Sequence, residues 1–109
     1  MNNSILMTIK HMLGYNDQPT GFDFDIIVFI NGRLMVLEQI GLGRDGFKIT
    51  GETETWDDFL VDSNRFEAVK TYLYLRTKLV FDPPTNSSLL KAMQDEANEL
   101  EWRLNVKAE

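Results

Sequence analysis

The stretch Ile26-Ile-Val-Phe-Ile-Asn-Gly-Arg-Leu-Met-Val-Leu-Glu-Gln-Ile-Gly41 has two readings, and they lead to different folds. Asn31-Gly32 is the dipeptide that most often closes a two-residue β-hairpin, and apolar runs flank it on both sides. In that hairpin Ile30 would face Arg33, Phe29 would face Leu34 and Val28 would face Met35. Both faces would then be apolar, a pattern that needs cover on two sides, and a lone two-stranded ribbon is marginal in water. As a helix, Ile26, Ile27, Phe29, Ile30, Leu34, Val36, Leu37 and Ile40 fall on one broad arc, with Asn31, Gly32, Glu38 and Gln39 opposite. Asp23 or Asp25 supplies an acidic start and Gly41 a stop. Gly32 costs such a helix about 1 kcal/mol relative to Ala, which the burial of one large side chain offsets. The helix is the better reading, and the chain is then mostly α.

The flanking segments agree. Ser4 is placed to cap a helix over about 4–13, with Gly14 as its stop and Ile5, Ile9, Met12 and Leu13 on one face. The turn-rich Tyr15-Asn-Asp-Gln-Pro-Thr-Gly21 then breaks the chain. Residues 41–55 are Gly-rich and polar and form an insert, irregular or with two short strands at 47–49 and 53–55. Thr55 precedes Trp-Asp-Asp-Phe-Leu, a capped short helix over about 56–62. A longer helix over 64–82 ends at Pro83-Pro84. Its apolar side is read as Val69, Tyr72, Leu73, Leu79 and Val80, and its polar side as Lys70, Thr71, Thr77 and Lys78. The last helix, over 87–105, starts at a Ser87 or Ser88 cap and carries the stripe Leu89, Met93, Ala97, Leu100, Leu104, with Lys91–Asp95 and Glu99–Arg103 paired outside. The expected fold is a small helical bundle of four to five helices with a short irregular or two-stranded insert.

Composition narrows the function. The 109 residues suit one domain, and 43% hydrophobic content supports a core rather than disorder. No apolar run approaches the roughly 20 residues of a membrane span, and the first residues lack the charged start and apolar centre of a secretory signal. There is no cysteine, so disulfides and thiolate metal sites are excluded. A net charge of −6 argues against sequence-independent grip on nucleic acid, although an acidic wall can stand beside DNA without holding it.

Chemistry is hard to find. Gly41-Leu-Gly-Arg-Asp-Gly46 matches a dinucleotide-binding pattern in letters, but it follows a helix instead of a strand. His11 is the sole histidine and reads as a surface residue, the acids near Trp56 and Phe24 read as caps, and no serine or threonine has an evident base partner. The expectation is no catalytic residue, no metal and no cofactor. The informative residues break the amphipathic patterns. Trp102 stands among polar neighbours, either anchoring a partner or packing on the insert. Val28 and Met35 form an apolar pair behind the second helix. Arg33 lies within its apolar arc, where a buried charge needs a carboxylate unless it reaches an edge or another subunit. Tyr74 and Phe81 sit on the polar side of the 64–82 helix. Helices apolar on two sides suit a self-assembling or docking protein.

Three stretches resemble the head–tail connector (adaptor) proteins of long-tailed bacteriophages and prophages: residues 22–43, Trp56-Asp-Asp-Phe-Leu60, and residues 69–105 with their Asp82-Pro-Pro break and closing Glu101-Trp-Arg-Leu-Asn105. The resemblance implies a non-catalytic virion neck component, assembled from the host cytoplasm. It would form a homo-oligomeric ring under the portal protein, extend the DNA channel without sequence-specific binding, and support the next neck or tail protein. It also implies that Trp102, Arg103, Leu104, Asn105, Val106 and Lys107 dock on the portal, and that the insert, with Arg44 and Phe47, meets neighbours. A closing ring needs two different patches per subunit. Val28, Arg33 and Met35 are the candidates for one, Tyr74 and Phe81 for the other. The alternatives are another neck protein, such as a stopper or tail-completion factor, and a small cytosolic helical module that binds a partner through Trp102.

Overall fold

The computed structural model describes residues 4–15 and 21–108, with side chains through Val106. Of the expected break at 15–21, residues 16–20 lie outside them. Five helices follow in order: α1 (Ile5–Met12), α2 (Asp23–Gln39), α3 (Trp56–Phe59), α4 (Phe66–Phe81), entered through a 3-10 turn at Ser63–Arg65, and α5 (Ser87–Ala108). Among the described residues there is no strand, only isolated bridges at Ser4–Thr55 and Gly43–Leu60. The fold is the expected small, mostly α bundle, and its insert is the irregular one.

Residues 26–39 settle as helix, and Ile40 caps its end. A two-residue hairpin turn of the common type would need positive φ at Asn31 and Gly32, but positive φ among the described residues occurs only at Gly14, Gly41 and Gly46. Four side chains of α2, Ile26, Ile30, Leu34 and Leu37, are buried. At about 1.5–3 kcal/mol each, they outweigh the glycine. Gly14 and Gly41 stop α1 and α2 in the same way. The N–H of Gly14 bonds the His11 carbonyl and that of Tyr15 the Lys10 carbonyl; Gly41 and Leu42 repeat this on Glu38 and Leu37. Each glycine adopts φ near +90°, which an L side chain resists.

Caps set the other ends. The Ser4 hydroxyl accepts from the Met7 N–H, and Thr55 with Asp58 forms a reciprocal capping box on α3. α3 stops at Phe59, short of the expected 62, because Leu60 turns extended and bridges to Gly43. Asn86, rather than Ser87 or Ser88, caps α5 by accepting from the Leu89 N–H at 3.0 Å.

α4 is the central helix, packed against α1, α2 and α5. This corrects the two-sided reading of it. Thr77 is fully buried, its hydroxyl satisfied by the Leu73 carbonyl at 2.7 Å, while Val80, near the end of α4, is 57% exposed. On α5 the expected stripe is covered only from its middle onward: Ala97 and Leu104 are buried, but Leu89 is exposed. The outer pairs Lys91–Asp95 and Glu99–Arg103 form as expected, each at 3.3 Å. The hydrophobic core gathers α1, α2, α3, α4, Leu42 and Ile49 of the insert, and Leu104 of α5.

Candidate docking surfaces

The insert is tied down on three sides. The Asn31 side chain, assigned to the solvent arc from the sequence, takes both backbone groups of Ile49: its Nδ2 donates to the carbonyl at 3.0 Å and its Oδ1 accepts the N–H at 2.7 Å. Arg44 Nε donates to the Asp58 carbonyl at 2.9 Å, and Glu38 accepts from the Gly46 N–H at 3.1 Å. Glu54 accepts from the Thr50 hydroxyl and N–H and from the Gly51 N–H. Burial pushes its carboxyl up, but these bonds outweigh that and leave it below its ordinary value. Residues 47–49 and 53–55 therefore form irregular chain instead of two paired strands, with a single bridge from Thr55 to Ser4. Phe47 is half-buried, its ring 5.3 Å from that of Phe59, so of the two insert residues singled out only Arg44 is exposed.

The ridge of α2 turned away from the core holds Val28 and Met35, 54% and 53% exposed, as expected. Phe24, 75% exposed, extends it and was missed, although it stands one turn before Val28. Gly32 lies along this ridge, and a Cβ built on it would meet nothing within 4 Å.

Arg33 is not on that ridge. Its guanidinium lies over the Phe29 ring at 5.9 Å, and its positive charge favours the ionised forms of nearby Tyr72 and Glu101, while the ion pair to Glu101 is made by Arg76 at 3.3 Å. The Tyr72 hydroxyl donates to Glu101, and Arg76 bonds Asn98 at 2.9 Å and Glu101 at 3.3 Å. The hydrogen bond from Tyr72 holds the Glu101 carboxyl below its ordinary value, against the effect of burial and helped by Arg76. Burial, then the bond to Glu101, pushes the Tyr72 phenol up. Beyond the expectation that Arg33 needs a carboxylate, the sequence offered no signal for this network, because its bonds span 22 to 29 residues.

Tyr74 packs half-buried against the core, and Phe81 meets Phe29 edge-on at 5.9 Å. Both are occupied within the subunit. At the far end of α5, Trp102 is 64% exposed on the rim of an open groove of about 320 Å³ lined also by Val36, Ile40, Asn98, Glu101 and Asn105. Asn105 and Val106 are exposed, and Arg103 is exposed but paired with Glu99. Leu104, grouped with them from the sequence, is only 3% exposed and belongs to the core. The side chain of Lys107 lies outside the described residues.

Among the described residues no group of three or more His, Asp or Glu side chains could hold a metal ion, and His11 is exposed. Among the described residues no helix is long and apolar enough to cross a membrane. Gly41–Gly46 follows a helix and leads into irregular chain, so it lacks the strand-to-helix setting that a phosphate needs. What the surface offers is separate apolar patches on helices. In comparisons with known proteins, residues 5–109 match the family model described as phage connector protein. No curated protein and no solved structure matches the chain.

Proposed function

From the membership of this chain in the phage connector protein family, a virion role in the neck of the particle follows, and we propose its form: a ring-forming head–tail connector. The ring docks under the portal, extends the DNA channel and presents a platform to the next neck or tail protein. The whole chain serves as one connector domain, and its work is structural rather than catalytic.

The observation that carries this reading is the presence of two separate apolar patches on helices whose core is already closed. One is the α2 ridge of Phe24, Val28 and Met35; the other is the end of α5, with Trp102 and Val106. Large exposed aromatics are the residues that most often anchor an interface, and a heterologous ring needs two unlike surfaces. The net charge of −6 supports a channel wall that DNA passes without adhering. Tyr74 and Phe81 are set aside as the second face, because the subunit already packs them.

Native mass spectrometry of the chain with and without portal protein tests this reading. Portal-dependent multimers are expected, with Trp102→Ala weakening them while the circular dichroism of the subunit stays unchanged. A stable one-to-one complex with a different protein, and no response to portal, would replace the ring with a simple binding module.

A further inference from the structure

We propose that α5 is a separately opening arm: it leaves the α1–α4 body as a unit, about the break at Asp82-Pro83-Pro84, while that body stays folded. The inference does not rest on ring formation or on the portal. It rests on how unequally the chain distributes its burial.

α5 gives little to the shared core, although it lies along α4. The buried cluster draws on α1, α2, α3, α4 and the insert, and among the described residues Leu104 is its one member from α5, with Leu100 packed half-buried on it and Ala97 buried against α4. None of residues 87–96 is buried, although they make up nearly half of this 22-residue helix. Elements with few buried apolar contacts open below the free energy of global unfolding.

The seam that holds α5 sets polar contacts beside the apolar Ala97, Leu100 and Leu104. Tyr72 to Glu101, Arg76 to Asn98 and Arg76 to Glu101 cross it, and the buried Nε of Arg76 has no partner. Hydrogen bonds of this kind re-form with water on opening, which returns part of their strength, whereas apolar surface gains nothing by exposure. The connection is suited to bending. Asp82 leaves α4 with φ −154° and ψ 61°, and the two prolines that follow have no N–H with which to continue its ladder. Opening would uncover the inner stripe of Met93, Ala97, Leu100 and Leu104 together with the α4 surface beneath. Trp102, on the same helix, would move with it.

Amide hydrogen exchange on the intact chain, followed by peptide, tests this. In the native protein, amides across residues 90–106 are expected to exchange together, about tenfold or more faster than those of 26–37, as local rather than global opening requires. Tyr72→Phe and Glu101→Gln each remove a charge-assisted bond of the seam. Each is expected to speed α5 a further ~10-fold and to leave α2 unchanged. The proposal is overturned if α5 shares the slowest protection with α2. It is also overturned if the variants accelerate both alike, which means global unfolding, or if exchange falls off gradually from residue 106 inward, which means fraying.

Discussion

Asn31 and Ile49, 18 residues apart, are joined as two strands would be: one side chain amide donates to and accepts from the same residue's backbone, at 3.0 and 2.7 Å. The amide mimics a peptide group and lets an irregular segment dock on a helix without leaving the buried Ile49 short of hydrogen bonds. Asn31→Ala removes both partners at once. Urea denaturation should show a loss of about 2–3 kcal/mol, with faster exchange concentrated in the insert. Asn31→Asp keeps the acceptor but sets a carboxylate against the Ile49 carbonyl, and should lose at least as much.

Gly32 has helical backbone and open space where a Cβ would stand. Gly32→Ala should therefore stabilise the isolated subunit by about 0.5–1 kcal/mol, read as a higher denaturation midpoint. If the α2 ridge is a subunit interface, the same substitution should impair assembly while raising that midpoint, because a methyl group would intrude on the neighbour.

Gly43 is the opposite case. A Cβ there would lie 2.0 Å from Cε1 of Phe59, a fully buried ring. Gly43→Ala should cost about 1–3 kcal/mol, since neither the bridge to Leu60 nor the packed ring can give way freely. Thermal melting would register this as a lower midpoint. Gly51→Ala, where a Cβ has open space, is the control.

The pH dependence has a definite sign. Glu101 lies below its ordinary value of 4.5 in the folded chain, chiefly through the Tyr72 hydroxyl. The unfolded chain thus takes up a proton first as pH falls. Stability from this group is fully present above about pH 4.5 and is lost as pH drops through the depressed folded value. Glu54 acts in the same direction. Tyr72, raised from 10.0, acts at the other end: its contribution is whole below about pH 10 and is lost as pH rises through the folded value. Denaturation at a series of pH values should show both flanks. Tyr72→Phe should flatten the acid one, because Glu101 then loses the main cause of its depression.

Much of this architecture is readable in the letters alone, and the reason is range. A 3.6-residue repeat of apolar side chains, a Ser or Thr before it and a Gly or Pro after it act on backbone bonds only three or four residues away. The α2 helix across Asn31-Gly32, the Ser4 and Thr55 caps, the Gly14 and Gly41 stops and the Pro83-Pro84 break all follow from such neighbours. Family likeness was legible too, in the combination of three stretches, and the match over residues 5–109 agrees with it.

What could not be read there depends on which helix happens to stand opposite. Thr77 is covered because α4 has neighbours on more than one side, and Val80 is exposed where α4 nears its end. Leu104 enters the core, whereas Trp102, two residues earlier, stays outside. Arg76 finds Asn98 and Glu101 across helix boundaries, and Asn31 finds Ile49. Periodicity says that a helix has an apolar face; the packing of distant segments decides how much of that face is hidden. The residues left uncovered by that packing are the ones available to a partner.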